Sequence, residues 1–470
     1  MPASENHFPE FAAKMRAAHL SEAAIRAFQY SYETLIAGQT GLISESEIQS
    51  VQDLPRLEQV GPAVPSAVPS ESVLSQTIII KLNGGLGTSM GLERAKSLLP
   101  VKDGWTFLDF IAKQILHLRQ KYNVPLHFLL MNSFSTSADT LEFLKKYPEL
   151  GAPKSLELMQ NQVPKVDAKS FRPAVWSENP QLEWCPPGHG DIYPSLLGSG
   201  WLDRLLANGV KYLFVSNSDN LGATLDLKLL NYFASSAKSF LMEVAERTAS
   251  DRKGGHLAQC HGKLLLRESA QCPESDVAAF QDIERHRFFN TNNLWVRLDR
   301  LKELLEKNGG FIPLAVIKNS KTVDPRNKNS PAVFQLETAM GAAIECFEDA
   351  GAIVVPRTRF APVKTTSDLL ALRSDAYAVT EDFRLILAAQ DHTQPPAISL
   401  DEKFYKSIDQ LDENLQHGVP SLKNCRELAV RGPVLLSSEN ILEGKISLAN
   451  NSLAPKALPP GIYRDCSIEL

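Results

Sequence analysis

The stretch that most restricts the fold is IIIKLNGGLGTSMGLERAK, residues 78–96, where an apolar β-branched run opened by Thr77 enters a loop with Gly84, Gly85, Gly87 and Gly91. A helical pattern from Thr106 to Lys121 follows, so the segment predicts strand, loop, helix. Further buried-strand candidates are Leu126 to Met131, Tyr212 to Ser216, Phe240 to Val244 and Ile353 to Val355. Several are separated by segments of helical period, such as Leu301 to Leu305 with Gly309 and Gly310 beyond it. This alternation predicts an α/β fold, a central mostly parallel mixed sheet flanked by helices. Glycines in such a loop let successive N–H groups converge on one anion, and the ammonium of Lys96 can neutralise phosphate oxygens. Taken alone, the loop reads equally well as a tight turn with a surface lysine, and its spacing matches neither the Walker A nor the G-x-G-x-x-G pattern.

The chain of 470 residues is too long for one hydrophobic core. We expect a helical extension and Pro-rich linker over 1–75, a catalytic domain over 76–390, and a β-solenoid-like unit over 391–470. The extension carries Ile25, Phe28, Tyr32 and Leu35 at helical spacing, with Ser21 as N-cap, and the linker is GPAVPSAVPSES at 61–72. After about 390 the helical signal fades, and the pieces LAVRG, PVLL, NILEG and KISLA are expected as short strands. A formal net charge of −5 gives no basic field for nucleic acid or anionic membrane. Six cysteines without a C-x-x-C pair argue against a zinc cluster or disulfide framework. No secretory signal or membrane-spanning run is evident, so a soluble, cytoplasmic protein is expected.

Residue types mark the candidate site. In YLFVSNSDN, Asp219 follows an apolar strand, at the sheet end where ligands of open α/β folds collect, and its hard oxygens suit Mg²⁺; an Asx-turn is the alternative. Asn217, two residues earlier, is placed to contact ribose or sugar. PPGHGD, residues 186–191, is irregular and suited to wrapping a flat base, though a lone His189 is more often structural. FFNTNNLW sets Asn290, Asn292 and Asn293 among apolar residues, where their amides need partners. Lys364 in FAPVKTTSD could touch a phosphate or be an ordinary surface lysine, and Lys253 is a weaker candidate of that type.

KLNGGLGTSMG followed by AKSLLPVKDGWTFLDF resembles the loop of eukaryotic-type UTP–glucose-1-phosphate uridylyltransferases, also called UDP-glucose pyrophosphorylases. FLLMNSFSTSADTLEFL, NQVPKV, PPGHGDIYPSLLGSG, YLFVSNSDNLGA, MEVAERTASDRKGGHL, LLLRESAQ, FFNTNNLWV, QLETAMGAAI and FAPVKTTSDLLAL continue the likeness in the family's order from about residue 76 to 380. One departure is Arg94 and Ala95, where many members carry Gly-Pro. The resemblance implies a Rossmann-like, GT-A-like nucleotidyltransferase that joins UTP to glucose 1-phosphate, giving UDP-glucose and pyrophosphate with Mg²⁺. It places Leu82, Asn83, Gly84 and Gly85 at the nucleotide, Gly188 and Gln162 at uracil, and Asp219 at the metal. His189, Asn217, Gly255, Glu268 and Asn292 fall at the sugar, and Lys96 and Lys364 at the phosphates. A broad-specificity UDP-sugar pyrophosphorylase and a non-catalytic UTP or UDP-sugar sensor are the rival readings. A monomer is expected, with the C-terminal unit as the route to any oligomer.

Overall fold

The computed structural model describes residues 6–39, 41–60, 70–248, 251–389 and 394–470. The glycine-loop strand, Thr77–Asn83, is buried at every position except Leu82, as a run without polar alternation requires. It lies between two parallel neighbours, Tyr212–Asn217 and His127–Asn132, and Glu157–Met159 continues the parallel half outward. Its side chains divide by parity: Ile78 and Ile80 enter one core with Leu213 and Leu301, whereas Ile79 enters the other with Phe110 and Phe233. The covering helix Phe107–Tyr122 starts at a capping box between Thr106 and Asp109 and ends where Asn123 turns left-handed.

Beyond Tyr212–Asn217 the sheet becomes mixed. Phe288–Arg297 runs antiparallel to it and to Phe240–Glu246, which in turn pairs in parallel with Ala350–Val354. A hairpin, His256–Cys260 and Lys263–Arg267, and an edge strand, Gln49–Ser50, complete ten strands. The predicted core strands and the α/β class are therefore observed.

The extension differs in part from expectation. Helices Phe8–Ala17 and Glu22–Ile36 form, and Ser21 accepts from the Ala24 N–H. Ile25, Phe28 and Tyr32 pack with Phe11 and Met15 against Val163, Val166, Cys185 and Leu336. Residues 41–58, however, are mostly irregular, with one 3-10 turn, Glu45–Glu47, and a two-residue strand in which Gln49 and Ser50 pair with Gln259 and Ala258. Residues 61–69 of the predicted linker lie outside the described residues, and Ser70–Ser75 is a helix.

At the other end, helices Glu402–Tyr405 and Ile408–Asn414 lie between the first strand and the rest, the second started by a Ser407–Gln410 capping box that the apolar pattern did not reveal. The strands Ala397–Leu400, Cys425–Arg431, Asn440–Ala449 and Gly461–Glu469 then stack in sequence order, all parallel, as turns of a solenoid do. NILEG and KISLA form one strand, not two, with left-handed Gly444 at the register shift between them. Among the described residues, no helix is long and apolar enough to cross a membrane, and all six cysteines are free.

Candidate active site

The parallel registers align Leu82 with Asn217 and Asn83 with Asn132, so the glycine loop and Asp219 leave the sheet at the same carboxyl edge. Asn83 is buried, and its amide donates to Asn132 Oδ1 (2.8 Å) and Thr140 Oγ1 (2.9 Å). Its side chain thus brackets two strand ends and is not free for a nucleotide. Gly85 is open on its Cβ side, whereas a Cβ at Gly84 would stand 2.9 Å from Gln160 Oε1.

From Gly84 a chain of contacts runs round the pocket. Gln160 Nε2 donates to the Gly188 carbonyl (2.9 Å), joining the glycine loop to the PPGHGD segment. Gly188 is left-handed (φ 79°), and a Cβ there would lie 2.5 Å from the Thr338 carbonyl oxygen, so glycine is required. Asp191 holds this segment by accepting from the Asn161 N–H (2.7 Å), the Asn161 amide and Ser195 Oγ (2.7 Å). Burial raises the Asp191 carboxyl to about 6 in spite of these bonds. Gln162 lies half-buried just before the short strand Val163–Pro164.

His189 Nδ1 accepts from the Met340 N–H (3.0 Å). That bond assigns the ring proton to Nε2, and burial pushes the imidazole down to about 4. His189 is accordingly a neutral donor. Next to Met340, a Cβ on Gly341 would stand 3.0 Å from the Asn290 amide nitrogen. Asn290 and Asn292 exchange two bonds, Nδ2 to Oδ1 (3.0 Å) and the Asn292 N–H to Asn290 Oδ1 (2.9 Å). The pairing of Phe288–Arg297 with Phe240–Glu246 slips between Asn290 and Asn293, and Asn292 in that bulge is left-handed (φ 57°) and incompletely buried. Such a bulge re-aims a side chain that regular pairing would fix.

The Asn290 N–H donates to the Gly255 carbonyl (3.4 Å), and a Cβ at Gly255 would meet Glu268 Oε2 at 2.4 Å. Burial raises the Glu268 carboxyl, and the charge of Lys364 opposes that rise. Lys364 is exposed; its backbone N–H and that of Thr365 both donate to Asp368 Oδ2 (2.8 Å each), which starts the helix Thr366–Arg373. The preceding residue, Val363, gives its N–H to the Asp219 carbonyl and receives Lys96 Nζ on its own carbonyl. Lys96 Nζ also binds Asp219 Oδ2 (2.7 Å), and the Lys96 N–H returns to the Gly85 carbonyl (3.1 Å). The circuit therefore closes on the loop where it began. Lys253 lines a neighbouring cavity of about 550 Å³ together with Lys364, Phe289 and Ile398.

Gln160, Asn161 and Asp191 were missed in sequence because polar residues in a loop carry no periodic signal. Glu243 was legible in principle: a carboxylate inside the apolar run FLMEVA needs a buried partner. It binds Arg359 in two bonds (2.7 and 2.8 Å), Asn293 (3.1 Å) and the Trp295 indole (2.9 Å). Lys81 in IIIKLN is the same case. Its ammonium lies under the Asp219 turn on Ser216 Oγ (2.8 Å) and the Ala223 carbonyl (2.6 Å).

A linked set of residues that combines glycine backbone, two lysines, one carboxylate at the sheet edge and a carboxylate–amide group is suited to a phosphorylated nucleotide and a polyhydroxyl partner. Comparison with known proteins agrees with that chemistry. The family model described as UTP--glucose-1-phosphate uridylyltransferase matches residues 25–443. Curated relatives of that name from Solanum tuberosum and Hordeum vulgare are 40% and 39% identical, each covering 91% of this chain, and this chain covers 88% and 89% of them. A solved UDP-glucose pyrophosphorylase mutant from Leishmania major, in complex with UDP-glucose, superposes with a TM-score of 0.94 at 49% identity, over 99% of this chain and 100% of that one. A UDP-glucose phosphorylase from Trypanosoma brucei gives a TM-score of 0.90 at 46% identity, over 99% and 100% of the two chains. With its loop, its sheet edge and nearly its whole length so matched, the chain belongs to the UTP–glucose-1-phosphate uridylyltransferase family of nucleotidyltransferases.

Proposed function

We propose that the chain catalyses reversible transfer of uridylyl from UTP to glucose 1-phosphate, giving UDP-glucose and pyrophosphate. The observation that carries this reading is the meeting of Lys96, Asp219 and the Val363–Lys364 backbone at the sheet edge beside the glycine loop. A phosphate oxygen of glucose 1-phosphate attacks the α-phosphorus in line, and pyrophosphate leaves from the opposite side. The nucleophile is already anionic, so the protein's work is to hold two anions together and neutralise developing charge. Lys96 suits the β- and γ-phosphates. Lys364, whose charge reaches Glu268, suits the phosphates that react. The loop glycines, Gln162 and Gly188 serve the nucleotide and base, and Asn217, neutral His189, Gly255, Glu268 and Asn292 serve the sugar.

Asp219 also suits Mg²⁺. Its Oδ2 is paired with Lys96, but the buried Oδ1 has no partner, and a lone carboxylate oxygen is a fitting ligand for a hard cation whose remaining positions go to phosphates and water. Bound there, the ion would supply charge neutralisation at the phosphates. The described residues contain no group of three or more His, Cys, Asp or Glu side chains able to hold a metal on their own, which accords with binding as a metal–nucleotide complex. The same reading takes the protein as a cytoplasmic monomer, with 1–75, 76–390 and 391–470 as its units. The free cysteines suit a reducing compartment.

The test is pyrophosphate release from UTP and Mg²⁺, compared across glucose, galactose, xylose and N-acetylglucosamine 1-phosphates, with a chelator control. Chelator-sensitive release with glucose 1-phosphate alone is expected. Similar rates with several sugars would indicate a broad-specificity enzyme, and UTP binding without release would indicate a sensor.

A further inference from the structure

The hairpin His256–Cys260 and Lys263–Arg267 ends at the pair His256↔Arg267, immediately flanked by Gly255 and Glu268, the two residues assigned to the sugar. The Arg267 and His256 side chains enter a dry cluster. Arg267 and His256 are 0% exposed and His286 is 1% exposed. The two imidazoles stack at 3.8 Å, and the Phe280 ring lies 4.9 Å from His256. Arg267 Nε has no acceptor, and His256 Nε2 and His286 Nδ1, the unprotonated nitrogens of rings whose other nitrogens face the Leu257 carbonyl and the Glu45 carboxylate, have no donor.

Glu45, from the segment before the linker, supplies the main acceptors. Its Oε2 binds Arg267 (2.6 Å), and its Oε1 binds His286 Nε2 (2.9 Å) and Arg285 (2.8 Å). The other carboxylate on Arg267 is Asp276 at 3.2 Å, and Asp276 also accepts the Glu45 N–H (2.7 Å). Two residues earlier, the Ile43 N–H donates to the Gln271 carbonyl (2.8 Å), and Gln271 Oε1 accepts the Glu268 N–H (2.8 Å). The same short segment therefore grips the chain on both sides of Glu268. Ile48 adds an apolar contact with Ala258 and Leu265 of the hairpin.

We infer that Glu45 is a positioning residue for the sugar half of the site, holding Glu268 and Gly255 in place through Arg267. The inference rests on the assignment of Glu268 and Gly255 to the sugar phosphate. Removing the Glu45 charge leaves the buried Arg267 with only the longer bond to Asp276, and the hairpin end must move to restore its pairing, carrying Glu268 along. The nucleotide half is built on the glycine loop and residues 160–191, none of which contacts Glu45.

The experiment measures KM for sugar 1-phosphate and for UTP, and UTP affinity by direct binding, in Glu45→Gln and Glu45→Asp. Glu45→Gln is expected to raise the sugar-phosphate KM by on the order of tenfold with UTP affinity unchanged, and Glu45→Asp, which keeps the charge, to recover most of the loss. A lowered melting temperature with both KM values unchanged, or an equal rise in both, would overturn the inference. Should Glu45→Gln not accumulate, Asp276→Asn removes the other carboxylate on Arg267 and must give a smaller, equally sugar-selective effect. If the wild type prefers a sugar other than glucose, the substrate assignment fails, but the selective rise for that sugar phosphate still tests Glu45.

Discussion

Lys81 is buried within a strand and faces the backbone turn that presents Asp219. Burial, with the nearby Arg359 charge, pushes its amine from 10.5 down to about 7. In the unfolded chain the lysine keeps its ordinary value, so between pH 7 and about 10.5 the unfolded state holds more protons and stability rises with pH. We expect the stability difference between wild type and Lys81→Met, from urea denaturation, to shift in favour of wild type as pH rises from 7 to 10. A flat difference would show that the amine stays charged in the fold. Lys364 presents the opposite situation, an exposed cation whose charge reaches the half-buried Glu268 carboxylate. Lys364→Ala is expected to lower kcat by about 10² or more, with the melting temperature almost unchanged, because its contact strengthens as charge develops. An unchanged kcat in steady-state assays rejects that role.

Single elements owe their positions to short polar signals at their ends. Thr106 Oγ1 accepts the Asp109 N–H (3.0 Å) and Asp109 Oδ2 accepts the Thr106 N–H (2.9 Å), which starts the helix Phe107–Tyr122 behind the glycine-loop strand. Thr106→Ala should cost about 1 kcal/mol in chemical denaturation while leaving KM for UTP as it was. The asparagine strand Phe288–Arg297 follows a different rule. Its apolar residues demand burial, but the bulge, not the pattern, decides that Asn292 is offered to the pocket while Asn293 is buried on Glu243. Composition and period treat the three asparagines alike; the register separates them.

At the scale of the molecule, one hydrophobic cluster runs from the sheet into the C-terminal unit. It contains Ile79, Phe110, Leu369 and Leu370 together with Tyr405, Leu411, Leu422, Leu428 and Leu448. Deleting residues 420–470 uncovers much of that shared face. The truncated chain is expected to be insoluble, or to lose its cooperative thermal transition in calorimetry, even though every assigned site residue remains. Full solubility with a sharp transition would show that the solenoid is an independent appendage.

The sequence by itself determined which runs become buried strands, where the glycine loop departs and that Asp219 stands at a strand end, while it left Lys96 and Lys364 open between phosphate binding and ordinary surface lysines until the family resemblance singled them out. These follow from local period, glycine dihedrals and strand-end placement, all properties of neighbouring residues. Only the tertiary structure decided that Asn83 is a bracket, that Gln160 joins the glycine loop to the PPGHGD segment, that Glu243 answers Arg359 from 116 positions away, and that residues 43–50 clasp the hairpin beside Glu268. The physical reason is common to all of them. Each is a polar or charged group, buried or half-buried, or a length of backbone, that is satisfied by a partner distant in the chain, and no local pattern encodes which partner the fold brings within reach.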